Sequence, residues 1–162
     1  MNYLETAKQI AREAGTMIIT RMDEEWLIEE KSSSTDIVTE IDQASEFLIK
    51  RRIREMAPDH QFLGEEEAFL NQMGYQKTLE QAGSIPYLWI VDPIDGTKNF
   101  VRGIQGFTVS IALACYGEIK AGVIYDPIID EMFCAEKGRG AYVNEKRIHV
   151  SNTDRLGQSV VG

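Results

Sequence analysis

The pattern of apolar and polar residues predicts two helices near the start of the chain, followed by a series of strands. In residues 2–22 and again from about Thr39 to Ala57, apolar side chains recur at spacings of three and four. Pro58 ends the second helix, and the polar residues 31–35 between the helices predict a loop. Gly15 inside the first helix either weakens the helix prediction slightly or marks close packing. The predicted buried faces consist of Leu4, Ala7, Ile10, Ala14, Met17 and Ile18 in the first helix, and of Ile41, Ala44, Leu48, Ile53 and Met56 in the second.

The rest of the chain predicts strands that follow one another along a sheet. Residues 61–64 and 88–91 are short apolar runs, and residues 66–83 between them are compatible with either helix or loop. Helices followed by consecutive strands predict an α+β fold, with helices packed on a mainly antiparallel sheet. The later strands are expected at 107–115, 117–125 and 132–135, and around Tyr142 and Ile148.

Composition narrows the class of protein. The sequence of 162 residues is long enough for one domain with its own core. Its net charge of -9 argues against a nucleic-acid partner, which would require a basic face. We see neither a secretory signal nor an apolar run long enough to span a bilayer, so we expect a cytoplasmic protein with no membrane partner. Cys115 and Cys134 are expected to be free, buried thiols.

Carboxylates cluster where predicted elements begin or end, and one such place is the most informative part of the chain. A buried strand leads directly into Asp92 and Asp95, with Pro93 between them and Gly96 behind them. Neighbouring carboxylates repel each other unless a positive charge compensates them, and Mg²⁺ is a cation that prefers oxygen ligands. The peptide carbonyl of Ile94 could add a neutral oxygen. The other acidic segments are 36–42 and 64–67.

Each acidic segment has an ordinary structural explanation when it is taken alone. Thr39 and Asp42 resemble a capping box in which aspartate replaces the usual Glu or Gln. Residues 65–67 would suit the start of any helix, where carboxylates interact favourably with the dipole. Residues 92–93 and 95–96 are common turn dipeptides. All of these explanations would have to hold at once, so the combination favours one shared site.

These same segments resemble the inositol monophosphatase family, which belongs to a Mg²⁺-dependent, lithium-sensitive phosphatase superfamily. The superfamily also contains fructose-1,6-bisphosphatases and 3'-phosphoadenosine-5'-phosphate phosphatases. The resemblance implies that residues 1–162 form the N-terminal domain of a layered αβαβα sugar-phosphatase fold, and that a C-terminal domain is absent from this chain. The matching segments are 36–42 (Asp-Ile-Val-Thr-Glu-Ile-Asp), 64–66 (Gly-Glu-Glu) and 89–100 (Trp-Ile-Val-Asp-Pro-Ile-Asp-Gly-Thr-Lys-Asn-Phe).

The resemblance also implies the ligands of two or three Mg²⁺ ions, with Mn²⁺ or Ca²⁺ as possible substitutes. One ion would be held by Glu65, Asp92 and the carbonyl of Ile94. A second would be held by Asp92 and Asp95. A third, weaker ion would lie by Glu65, near Glu66.

The implied reaction is the hydrolysis of inositol monophosphate or a related sugar phosphate by a homodimer. Thr97 and Asp42 would form a hydroxyl–carboxylate relay that helps to deprotonate the attacking water, and the backbone N–H groups of Gly96 and Thr97 would hold the phosphate. Lys98 stands where many members carry threonine, and could add a positive contact. The alternatives are a fructose-1,6-bisphosphatase, a 3'-phosphoadenosine-5'-phosphate phosphatase, or a metal-binding interaction domain without activity.

Overall fold

The computed structural model describes residues 2–24, 28–33 and 36–160, of which 28–33 and 36–38 are described through their backbone alone. The helices in this part of the chain are α1 (Tyr3–Arg21), α2 (Glu40–Met56), α3 (Glu65–Leu70), α4 (Gln72–Gln81) and α5 (Thr97–Val101), with 3-10 turns at Ala82–Ser84 and Leu156–Gln158. The strands are β1 (Ile28–Ser33), β2 (Asp36–Thr39), β3 (Gln61–Gly64), β4 (Leu88–Asp95), β5 (Thr108–Cys115), β6 (Glu118–Asp126), β7 (Glu131–Glu136), β8 (Gly140–Val143) and β9 (Lys146–Ile148).

Helix α1 confirms the first predicted helix and four of the six residues of its predicted buried face, while Leu4 and Met17 are only partly buried. The Asn2 side chain accepts a hydrogen bond from Glu5 N, which satisfies one of the free N–H groups at the start of the helix. Of the two explanations for Gly15 the structure supports close packing, because a Cβ there would lie 2.6 Å from the ring of Tyr125. The residues buried along α1 are Ala7, Lys8, Ile10, Ala11, Ala14, Gly15 and Ile18.

Helix α2 begins where the sequence predicts, but its buried face is rotated from the predicted one. Ala44 and Leu48 are only partly buried, whereas Ser45, Glu46 and Ile49 are fully buried. Ser45 and Glu46 are polar, so a pattern of apolar residues could not identify them. Their burial has a physical cause, because both side chains form hydrogen bonds with the backbone of distant segments.

The loop predicted at 31–35 is partly wrong. Residues 31–33 belong to β1, which pairs antiparallel with β2, while residues 34–35 lie outside the described part of the chain. The backbone ladder between the two strands stabilises an extended conformation that the polar side chains do not indicate. The ambiguous segment 66–83 is helical over most of its length.

The main sheet confirms the predicted α+β fold. Its seven strands are ordered β3-β4-β5-β6-β7-β8-β9, so neighbours in the sheet are also neighbours in the chain. Strand β3 is parallel to β4, and all other pairs are antiparallel. Parallel pairing at β3–β4 brings the ends of two strands to the same edge of the sheet. Both of these strands end in the predicted acidic segments.

Helices α1 and α2 pack on one face of this sheet, α1 across β5, β6 and β7 and α2 against β4. The core between helices and sheet includes Trp89, Ile111 and Leu113, each 1% exposed. The opposite face carries half-exposed apolar side chains such as Ile124 and Phe133. Within the described residues, every helix is too short or too polar to cross a membrane.

Candidate active site

The site is organised by an irregularity in β4. Asp92 pairs with Ser110 and Asp95 pairs with Thr108, so two residues of β4, Pro93 and Ile94, face a single residue of β5. This is a β-bulge, which redirects the side chains around it. Proline has no backbone N–H to donate to the neighbouring strand, and Pro93 is tolerated here because a residue in a bulge does not need that hydrogen bond. The bulge therefore lets both carboxylates stand near the end of one strand.

Glu65 and Asp92 are brought together by the parallel pairing of β3 with β4. In the register of this pair, Gly64 lies opposite Val91, so the residues that follow them are Glu65, the first of α3, and Asp92, still on β4. Both line the same cleft, and the two carboxyl groups interact electrostatically. Two carboxylates placed this way repel each other unless a proton or a cation compensates one of the charges.

The electrostatic surroundings of Asp92 are unusual for a carboxylate. Burial and, after it, the neighbouring Glu65 carboxyl group raise the pKa of Asp92 to about 8, and the charges of Asp95 and Asp42 act in the same direction. The buried Oδ1 atom of Asp92 has no hydrogen-bond partner among the described residues. Strongly perturbed carboxyl groups in a cleft are typical of functional sites.

Asp42 connects the start of α2 with the end of β4. Its Oδ2 atom accepts hydrogen bonds from the backbone N–H and the hydroxyl of Thr39, which completes the predicted capping box. Its other oxygen, Oδ1, accepts a hydrogen bond from Thr97 Oγ1 at 3.1 Å. Burial raises the pKa of Asp42, although these hydrogen bonds oppose the shift. The same carboxylate thus serves the cap and also reaches the predicted relay partner.

The remaining predicted residues are Ile94, Asp95, Gly96 and Glu66. The Ile94 carbonyl accepts a hydrogen bond from Thr97 Oγ1 at 3.0 Å. Gly96 caps α5 with a φ of +94°, and a Cβ there would lie 2.8 Å from the carbonyl oxygen of Gly106. Asp95 is exposed, while Glu66 is 6% exposed.

Sequence reasoning missed Ser45 and Glu46. The Ser45 hydroxyl donates to the Pro93 carbonyl at 3.3 Å, which ties α2 to the bulge. Glu46 accepts hydrogen bonds from the first turn of α3. A signal was available, because both residues are three or four positions after Asp42 and therefore lie on the same face of the helix.

The donor set suits a hard divalent cation. Within the described residues, no three Asp, Glu, His or Cys side chains converge on one point closely enough to form a complete ligand group. However, the buried Asp92 Oδ1 atom without a partner and the adjacent Glu65 carboxylate offer the anionic oxygens that Mg²⁺ prefers. The Ile94 carbonyl oxygen has a second lone pair beyond its bond to Thr97.

Comparison with known proteins identifies the family. The model of the inositol monophosphatase family matches residues 1–162. The chain is 42% identical over 144 residues to inositol-1-monophosphatase of Bacillus subtilis, a match that covers 89% of this chain and 51% of that protein. The chain belongs to the inositol monophosphatase family. It is also 36% identical over 160 residues to fructose-1,6-bisphosphatase/inositol-1-monophosphatase of Thermotoga maritima, which covers 99% of this chain and 57% of that protein.

Solved structures of the inositol monophosphatase fold agree with this assignment. The crystal structure of extragenic suppressor protein suhB from Bartonella henselae superposes with a TM-score of 0.82 at 35% identity, covering 96% of this chain and 57% of the other. The chain thus spans a little more than half the length of the relatives it matches.

Proposed function

We propose that this chain carries the metal-binding half of a Mg²⁺-dependent phosphomonoesterase that acts on inositol monophosphate or a related sugar phosphate. The observation that carries the proposal is the Glu65–Asp92 pair. In this pair Asp92 has a raised pKa and a buried oxygen without a hydrogen-bond partner among the described residues. Membership of the inositol monophosphatase family supports it. The net charge of -9 agrees with a small-molecule substrate rather than a nucleic acid.

The residues that would hold the cations are Glu65, Asp92, Asp95 and the Ile94 carbonyl, with Glu66 close by. When bound there, divalent cations supply positive charge that makes water more acidic and stabilises the charge on the phosphoryl oxygens. The Gly96 and Thr97 N–H groups would orient the phosphate. Lys98 is exposed on α5 and would add a positive side chain at the edge of the same site.

Thr97 and Asp42 would remove the proton from the attacking water. The Thr97 hydroxyl has one hydrogen, so it donates to either Asp42 Oδ1 or the Ile94 carbonyl oxygen at a given moment. When it donates to Asp42, the lone pairs of Oγ1 are free to accept a proton from the attacking water. The raised pKa of Asp42 makes its carboxylate a better proton acceptor in that relay.

The experiment that tests this proposal measures phosphate release from inositol monophosphate, fructose-1,6-bisphosphate and 3'-phosphoadenosine-5'-phosphate, with and without Mg²⁺ and Li⁺. It uses the chain alone and a chimera in which the rest of the Bacillus subtilis relative follows residue 162. Release that requires Mg²⁺ and is inhibited by Li⁺ supports the proposal, and the preferred substrate selects among the phosphatases. No release from either form would contradict it and favour a metal-binding interaction domain. The homodimer and the cytoplasmic location stay predictions.

A further inference from the structure

We propose that Glu46 is a positioning residue that fixes the backbone of the Glu65 segment and thereby the direction in which Glu65 faces Asp92. The proposal rests on the function proposed above, since it concerns the same metal-binding carboxylates. Glu46 does not belong to any of the acidic segments that the sequence singles out. It lies on α2, whereas the segment that it would hold follows β3.

Both oxygens of Glu46 are occupied by backbone donors of α3. Its Oε2 atom accepts a hydrogen bond from Glu66 N at 2.8 Å, and its Oε1 atom accepts one from Glu67 N at 2.9 Å. The side chain is buried, with only 6% of the residue exposed. Each oxygen of this carboxylate therefore already accepts a backbone hydrogen bond, in contrast to the unpartnered oxygen of Asp92.

These bonds replace a cap that the local sequence does not provide. The N-cap of α3 is Gly64, which forms no side-chain hydrogen bond with the helix. The first N–H groups of a helix have no partner within the helix and must find one elsewhere. Glu46 supplies that partner from a residue about twenty positions earlier in the chain.

The absence of a side chain at Gly64 is required by the same contact. A Cβ at this position would lie 2.3 Å from Glu46 Oε2 and 2.4 Å from Glu46 Cδ, far closer than non-bonded atoms approach. Gly64 and Glu46 therefore fit together as one unit. Because Glu65 is the next residue, any movement of this unit also moves the carboxylate that contacts Asp92.

The chemistry of the cap explains why a carboxylate is needed here. Placing another negative group beside Glu67 is unfavourable, because like charges repel. In the observed geometry, however, each N–H group binds a different oxygen of Glu46, and an amide would place an NH₂ group, which cannot accept, at one of these two positions. Lys50, which pairs with Glu67, lies close enough to offset part of the repulsion. In Glu46→Gln the new side chain is nearly the same size, but it loses one of the two hydrogen bonds with the Glu66 and Glu67 N–H groups.

The test compares the unaltered chain with Glu46→Gln, Gly64→Ala and a control, Glu55→Gln. Glu55 is an exposed carboxylate on the same helix that pairs only with arginines among the described residues. Hydrogen exchange measured by NMR reports on the Glu66 and Glu67 amides, and calorimetric titration with MgCl₂ gives the affinity of each variant for Mg²⁺. A thermal unfolding scan establishes that each variant is folded.

We expect Glu46→Gln and Gly64→Ala to raise the exchange rate of at least one of the two amides about tenfold or more, and to weaken Mg²⁺ binding about 10–100-fold. Glu55→Gln should leave the exchange rates of the two amides and the Mg²⁺ affinity unchanged. Faster exchange with unaltered Mg²⁺ affinity would overturn the proposal, since Glu46 would then be only a helix cap, and unaltered exchange would overturn it as well. If the unaltered chain binds no Mg²⁺, the proposed function itself fails, whatever the exchange rates show.

Discussion

Thr97 Oγ1 lies 3.1 Å from Asp42 Oδ1, and this hydrogen bond joins two parts of the chain that are 55 residues apart. It connects the first turn of α2 with the first residue of α5, directly after the bulge of β4. The opposite oxygen of Asp42 is held by Thr39, so the carboxylate cannot rotate freely. The hydroxyl of Thr97 is thereby oriented by a rigid partner.

Replacing Thr97 tests whether this hydroxyl takes part in the reaction. We expect Thr97→Val to lower the rate of phosphate release by the chimera about 10²–10⁴-fold, because the proton of the attacking water then lacks its acceptor. Thr97→Ser keeps the hydroxyl and should retain most of the rate. A Thr97→Val variant that is folded and as fast as the Thr97→Ser variant would exclude the relay.

The raised pKa of Asp92 predicts a pH dependence of stability in the presence of a chelator. The pKa of Asp92 in the folded chain, about 8, lies above the ordinary value of 3.8, so the folded state binds more protons than the unfolded state between these values. The contribution of Asp92 to the stability of the folded state is fully present below pH 3.8 and is lost as the pH rises through about 8. We therefore expect the free energy of unfolding, measured by urea titration, to fall from about pH 5 to about pH 8.

The control for that experiment is Asp92→Asn, which is similar in shape and cannot ionise. Its unfolding free energy should depend less on pH in this range than that of the unaltered chain. Identical pH profiles for the two proteins would show that Asp92 does not titrate abnormally. The measurement requires no activity, so it can be made on the chain by itself.

His60 provides a second pH-dependent contact at the other end of the β3–β4 pair. Its Nδ1 atom accepts a hydrogen bond from Trp89 Nε1 at 3.0 Å, and its ring stacks on Tyr87 at 4.3 Å. Burial lowers the pKa of His60, although the charge of Asp59 opposes the shift. The stabilisation from this contact is thus present above the ordinary pKa of 6.5 and is lost as the pH falls below it.

We expect acidification below the ordinary histidine pKa of 6.5 to shift the indole N–H resonance of Trp89, because protonated His60 cannot accept its hydrogen bond. In His60→Phe the ring contacts are kept but the titration is removed, so the resonance should no longer respond to pH. A response that persists in His60→Phe would mean that another group causes it.

The backbone at Gly96 should not tolerate any side chain. Its φ of +94° is unfavourable for other residues, and a Cβ would lie 2.8 Å from a backbone oxygen that cannot easily move. We expect Gly96→Ala to reduce the free energy of unfolding by about 1–3 kcal/mol. Gly103→Ala is the matched control, because Gly103 also has a positive φ of +65° but no atom would lie within 4 Å of its Cβ. Equal losses in the two variants would mean that the close contact at Gly96 contributes nothing.

Much of the fold could be predicted because it depends on local patterns. The amphipathic spacing of α1, the capping box of Thr39 and Asp42, and the turn residues between β5, β6 and β7 are all visible in the sequence. Each of these features is determined by residues a few positions apart. The predicted elements therefore differ from the observed ones mainly at their ends.

Features that depend on distant partners could not be predicted in the same way. Ser45 and Glu46 are buried because they bind the backbone of Pro93 and of α3, which a helical pattern does not reveal. The sequence identifies Glu65 and Asp92 as candidates, but only the register of β3 on β4 places them side by side. The strand conformation of residues 28–33 likewise depends on pairing with β2.

The most direct test of the whole account is phosphate release by the chimera and by its Asp95→Asn variant, measured with and without Mg²⁺. Asp95 is exposed, so the substitution should have little effect on folding while it removes a proposed cation ligand. The account predicts that release by the chimera requires Mg²⁺ and that the folded Asp95→Asn variant releases no phosphate. Mg²⁺-dependent release by Asp95→Asn at the rate of the unaltered chimera would contradict it.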